Sequence, residues 1–93
     1  IPYDTPSSLR ALRGPEFGLI ELPVTVHWGP QHTYDLADPS DLESAYQALV
    51  REGTTAIQEQ FLNERLLRAV WSDLVLPTRC RLTWESCFPD LVG

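Results

Sequence analysis

The sequence has no lysine and no methionine, and it holds only two cysteines and five glycines. Each shortage excludes something. No apolar run approaches the ~20 residues of a membrane-spanning helix. The glycines are scattered, so there is no Gly-rich loop to cradle a phosphate, and nucleotide binding has no support. No serine sits in a G-x-S-x-G setting. Neither a catalytic motif nor a cofactor motif is present, so the chain is expected to be non-catalytic, with no cofactor. The first residues, Ile1-Pro2-Tyr3-Asp4, lack the basic and then apolar pattern of a signal peptide.

The two cysteines, Cys80 and Cys87, would stand about 10.5 Å apart along one helix. A disulfide needs Cα atoms within about 7 Å. A reduced, cytoplasmic protein is therefore expected. Their spacing also misses the two to four residues usual between zinc-binding cysteine pairs. Both fall on the apolar stripe of Trp84, where small core residues are expected.

What is present is a globular composition. Ninety-three residues with 43% apolar content suit a single domain with a modest core. Seven arginines carry all the positive charge against thirteen acids, for a net charge of −6. The absence of lysine is a mark of GC-rich coding. The acidic balance argues against indiscriminate nucleic-acid binding and against adsorption to anionic membranes.

Periodicity predicts an α+β fold. A short N-terminal helix carries Leu9 and Leu12, with Thr5 or Ser7 as cap and Gly14-Pro15 as stop. Over residues 18–28, Ile20, Leu22, Val24, Val26 and Trp28 take every even position, a period of two that predicts a half-buried strand. Pro23 has no N–H to give, so this strand lies at an edge, or bends or bulges there. Gly29-Pro30-Gln31-His32 supplies turn chemistry, and 33–37 returns as the second strand of a hairpin with a four- or five-residue loop.

Three or four helices follow. Asp38 caps the first, Pro39 opens it, and Leu42, Ala45, Tyr46, Leu49 and Val50 form its stripe until Gly53. Thr55 with Gln58 reads as a capping box for the next. The spacing from Ile57 to Leu74 allows one unbroken helix or two, and a break at Asn63 is the favoured reading. Cys80, Trp84, Cys87 and Phe88 mark the last helix, closed by Pro89. Strands followed by helices point to α+β rather than α/β.

The stretch Leu22-Pro23-Val24-Thr25-Val26-His27-Trp28-Gly29-Pro30 resembles a family of short, uncharacterised proteins from GC-rich bacteria. Tyr46 to Gly53 and Leu76 to Leu91, with Leu76-Pro77, Trp84 and Phe88-Pro89, share the likeness. It covers most of the chain. It implies a bacterial source and carries over neither an activity nor a functional residue.

Three functional readings arise. The first is a protein-interaction or regulatory module, acting on a protein partner or as a homo-oligomer. A two-stranded ribbon offers an edge for pairing with another chain. His27, Trp28, His32 and Tyr34 around the turn, and Arg65 and Arg68, are its candidate contacts, because aromatic and arginine side chains anchor interfaces. The second is a sequence-specific DNA-binding regulator on residues 55–81, where Arg65, Arg68, Arg79 and Arg81 exceed the local acids. Against it, Arg68 can pair with Glu64 at i, i+4, and nucleic acid is not the expected partner. The third is a metal-dependent enzyme at the hairpin tip, with His27, His32 and Asp35 as ligands. No fourth ligand is evident, and ordinary surface histidines account for the pattern. No bound metal is expected.

Overall fold

The structure, a computed structural model, describes residues 2–27 and 29–93. It is an α+β fold. A two-stranded antiparallel sheet of β1 (Leu19–Glu21) and β2 (Thr33–Asp35) precedes α1 (Pro39–Glu52), α2 (Thr55–Phe61), α3 (Glu64–Val70) and α4 (Thr78–Cys87). Short 3-10 turns lie at Leu9–Ala11, Trp71–Asp73 and Pro89–Leu91. No helix among the described residues is long and apolar enough to cross a membrane.

The hairpin is shorter than the alternation predicts. Its register pairs Leu19 with Asp35, Ile20 with Tyr34 and Glu21 with Thr33. Leu22 N–H still reaches the His32 carbonyl at 2.9 Å, and then the ladder stops. Pro23 is the physical reason, because it has no N–H with which to continue pairing. Its carbonyl accepts from Val26 N–H at 3.0 Å, folding residues 23–26 into a turn. Val24 is consequently thrown outward, 64% exposed, although Leu22 and Val26 on either side are buried. The continuation of the strand to residue 28 is thus corrected, and Trp28 itself lies outside the described residues. The return strand ends at Asp35 rather than at residue 37, but Tyr34 and Leu36 join the core as the pattern requires.

The N-terminal segment forms one 3-10 turn, not a two-turn helix. Ser8, rather than Thr5 or Ser7, caps it by accepting from Ala11 N–H at 3.1 Å. Beyond it the backbone runs tightly along the end of α2. Arg13 N–H donates to the Glu59 carbonyl at 2.9 Å, and Gly14 N–H to that of Leu62 at 2.8 Å. A Cβ on Gly14 would collide with the Phe61 carbonyl, so this position requires glycine for lack of space.

α1 follows its sequence signals closely. The Asp38 carboxylate accepts from Asp41 N–H at 2.9 Å, Pro39 opens the helix, and all five stripe residues are buried. At α2 the cap shifts by one residue. Thr54 accepts from Ile57 N–H, while Thr55 donates its hydroxyl to the Thr5 carbonyl at 2.7 Å. Gln58 makes no capping box. It is fully buried, and its amide donates to the carbonyls of Asp4, Leu49 and Gly53. One side chain thus stitches the N-terminal segment, the end of α1 and α2 together.

The break at Asn63 is present. Its side chain accepts from Leu66 N–H at 3.1 Å and donates to the Gly14 carbonyl at 3.2 Å. Trp71 and Trp84 pack together at 5.7 Å between ring centroids, both buried. Cys80 is buried beneath α1, whereas Cys87 is exposed and does not belong to the core stripe. A single cluster joins Ile20, Tyr34 and Leu36 of the hairpin side to Tyr46, Leu49, Leu67, Trp71 and Trp84. Each fully buried apolar side chain of this kind contributes about 1.5–3 kcal/mol, so the short sheet is held by the helices it covers.

Candidate functional site: one edge of the hairpin

The hydrogen-bonding pattern of the ladder decides which backbone groups are left outward. Leu36 N–H donates to the Gly18 carbonyl and Leu22 N–H to that of His32, both at 2.9 Å. In an antiparallel pair, hydrogen-bonded and non-hydrogen-bonded positions alternate. Gly18, Ile20 and Leu22 therefore turn their polar groups towards β2. Leu19 and Glu21 turn theirs away from it, and among the described residues nothing bonds to them.

β2 is treated differently along its own outer side. Asp35 N–H is taken by the Asp41 carboxylate at 2.9 Å, and the Thr33 carbonyl accepts from the Gln31 amide at 3.2 Å. Gln31 also reaches Asp41 at 3.3 Å. The Asp35 carbonyl accepts from Asp38 N–H at 3.0 Å, so of the outward groups of β2 only Thr33 N–H lacks a partner among the described residues, whereas all those of Leu19 and Glu21 on the β1 edge are open. Beside the open edge lie Phe17, 78% exposed, and Leu19, 69% exposed. An unpaired strand edge flanked by exposed apolar side chains is a template for another strand.

The expected contact residues divide otherwise. Tyr34 is buried, its hydroxyl donates to the Gln31 carbonyl at 3.2 Å, and burial, aided by the Asp41 charge, raises its pKa. The half-buried His27 ring meets the Tyr34 ring edge-on at 6.2 Å and packs so closely on Gly29 that a Cβ there would lie 2.6 Å from Nε2. His32 is also half-buried. Tyr34 and His27 thus pack against each other near the tip, and Trp28 lies outside the described residues. Asp35 turns its carboxylate to Ala37 N–H at 2.9 Å. No three His, Cys, Asp or Glu side chains gather to hold a metal among the described residues.

The arginines are engaged with acids. Arg65 lies 2.5 Å from Glu16, and Arg68 lies 2.8 Å from Glu64 and 3.4 Å from Asp90. The Glu64 hydrogen bond is the main cause of the raised Arg68 pKa. A groove of about 500 Å³ beside Arg68, between Ser7–Arg10 and Phe88–Asp90, is crossed by that pairing. Arg81 stacks over Trp71 at 5.1 Å, donates to the Trp71 carbonyl and pairs with Glu85. Arg79 alone of the four is exposed without an ion pair among the described residues. The local excess of positive charge is thus largely matched in space.

Phe17, Leu19 and Glu21 are the site residues that the periodicity argument passes over. The signal was available: Phe17 and Leu19 are apolar at odd positions, opposite the buried even-numbered face. Set against known families, curated proteins and solved structures, the chain shows no significant match to any of them.

Proposed function

We propose that this protein is a non-catalytic interaction module that binds a protein partner along the outer edge of β1. One observation carries the reading. Among the described residues the outward backbone groups of Leu19 and Glu21 are unpaired, beside exposed Phe17 and Leu19, while most of those on the β2 edge are taken. Strand addition satisfies such groups with main-chain hydrogen bonds and reads the partner through alternate side chains. The rigid backing of Ile20 and Tyr34 against the helices holds the edge in an extended form before a partner arrives, which lowers the ordering cost of binding.

Affinity capture with three baits tests this. The wild-type chain and Val75→Lys, a change at an exposed residue away from the hairpin, are expected to retain the same partner. Leu19→Lys, which places a charge on the edge, is expected to lose it. A partner retained equally by all three baits would place binding elsewhere. Recovery of the bait alone, with a monomeric mass in solution, would remove the interaction reading.

A further inference from the structure

The net charge of this chain is confined to one region. Between Arg13 and Arg51 there is no basic residue except His27 and His32, while Glu16, Glu21, Asp35, Asp38, Asp41 and Glu43 lie within it. The seven other acids balance the seven arginines, so the whole excess of −6 falls on the hairpin and the start of α1. That is the balance along the sequence; in space one of the six charges is offset, because Arg65 lies 2.5 Å from Glu16. Glu21 and Asp35 have no ion-pair partner among the described residues. Both belong to the outward face of the sheet, because Leu19 pairs with Asp35 and Glu21 with Thr33, opposite to the buried Ile20–Tyr34 pair.

We propose that the β1 edge takes up an extended segment of another protein in which apolar residues alternate with lysine or arginine. The inference rests on the edge-binding reading and adds the chemistry of the partner. A third strand beside β1 completes the bonds of Leu19 and Glu21. On the outward face its side chains stand next to Leu19 and Glu21, with Asp35 one strand further away. Cross-strand pairs of opposite charge are favourable and like charges directly opposite are not. A basic side chain near Glu21 and an apolar one near Leu19 match this face.

A second copy of the chain fits less well. An antiparallel β1–β1 pairing brings two Glu21 and two Asp35 carboxylates to one sheet, on chains that each carry −6. No arginine between residues 14 and 50 is available to offset them.

The test uses the intact 93-residue chain, 15N-labelled, and three blocked nine-residue peptides alternating valine with lysine, threonine or glutamate. Binding is followed by amide shifts and hydrogen exchange. The valine–lysine peptide is expected to shift and protect the Leu19 and Glu21 amides, with affinity at least tenfold above the threonine peptide at low salt. The glutamate peptide is expected not to bind. Added salt should weaken the preference, because exposed charges are screened beyond about 10 Å at 0.1 M. Leu19→Pro, which removes one outward N–H, should lower affinity at least tenfold. Glu21→Lys, at an exposed site where folding is unthreatened, should invert the preference towards the glutamate peptide.

Equal binding of the lysine and threonine peptides at β1 would overturn the basic partner and leave edge binding intact. Binding of the lysine peptide that survives both variants, with shifts only around Asp38 and Glu43, would overturn the proposal as diffuse charge attraction. Self-association through β1 would make a second copy the occupant and overturn it likewise. If no peptide perturbs β1 and the chain stays monomeric, the edge-binding reading falls with it.

Discussion

The phenol oxygen of Tyr46, in the middle of α1, accepts the backbone N–H of Asn63 at 3.0 Å. This bond ties the longest helix to the break that begins α3. Tyr46 is fully buried, and burial is the main reason its pKa is pushed up to about 12. The Asn63 N–H opposes that shift, and the Glu16 charge adds to it.

Alkaline pH should therefore loosen the fold through Tyr46. The unfolded chain releases the phenolic proton near pH 10, whereas the folded chain keeps it until about 12. The folded state binds more protons in that window, so stability falls as pH rises through it and is fully present below pH 10. The expected loss by pH 12 is about 2–3 kcal/mol at roughly 1.4 kcal/mol per unit. Tyr34, also raised by burial, acts in the same direction. Denaturant titrations at pH 8.5 and 11 measure this. Tyr46→Phe should start about 1–3 kcal/mol lower, because it leaves the Asn63 N–H unpaired, and should then show a shallower alkaline slope. An unchanged slope would mean that Tyr46 is not the titrating group.

Asn63→Ala removes both the cap on Leu66 N–H and the bond to the Gly14 carbonyl. Loss of such a cap costs about 1–2 kcal/mol, and 1 kcal/mol moves Tm by roughly 4–8 °C in a domain of this size. Asn63→Asp keeps the acceptor for Leu66 N–H but sets a carboxylate oxygen against the Gly14 carbonyl, so it should recover only part of the difference. Thermal melts of the three proteins decide it, and equal melting temperatures for Asn63→Ala and wild type would show that the break is set by packing alone.

Gly14 and Gly18 should respond to alanine for different reasons. At Gly14 the new methyl meets the Phe61 carbonyl and must displace backbone. At Gly18, φ is +91° with open space around it, so the strain is conformational, of order 1–2 kcal/mol. Gly14→Ala is expected to be the more damaging in chemical denaturation. The reverse order would mean that residues 12–15 move aside readily.

The two thiols should separate by accessibility. Cys87 is exposed, whereas Cys80 is buried and burial raises its pKa, which disfavours the reactive thiolate. Iodoacetamide labelling followed by mass analysis should modify Cys87 in the native protein and both residues after unfolding. Native labelling of Cys80 at a comparable rate would show that α4 opens readily.

The caps of α1 and α3 and the buried stripe of α1 were legible because they depend on neighbours in sequence, whereas the caps of the N-terminal turn and of α2 fell one residue or more from the expected ones. Asp38 with Pro39 placed the start of α1, and Leu42 to Val50 gave its buried face at the helical spacing. Asn63 offered its cap chemistry in the same way, and only the choice between a break and a continuous helix needed the structure. The alternation from Ile20 to Trp28 misled because period two does not record where pairing stops. Pro23 ends the ladder, and Val24 then turns to solvent. Gln58 shows the same limit. Its three carbonyl partners come from distant segments, so a helical position that reads as a cap residue becomes a buried clamp.

For the candidate site, the sequence by itself determined the ingredients: apolar Phe17 and Leu19 at odd positions, a stretch from 14 to 50 without arginine or lysine, and an N–H missing at Pro23. Tertiary structure decided which of the two hairpin edges stays open. Asp41 folds back onto β2 because α1 starts only a few residues beyond it, and Gln31 reaches it from the loop just before, whereas no described side chain reaches the outer groups of Leu19 and Glu21. It also set Arg65 beside Glu16 and Arg68 beside Glu64 and Asp90, ion pairs of which only Arg68–Glu64 follows from spacing along one helix. The physical reason is common to both. Local sequence fixes which polar groups a segment carries, but whether each is satisfied depends on what distant chain is packed beside it.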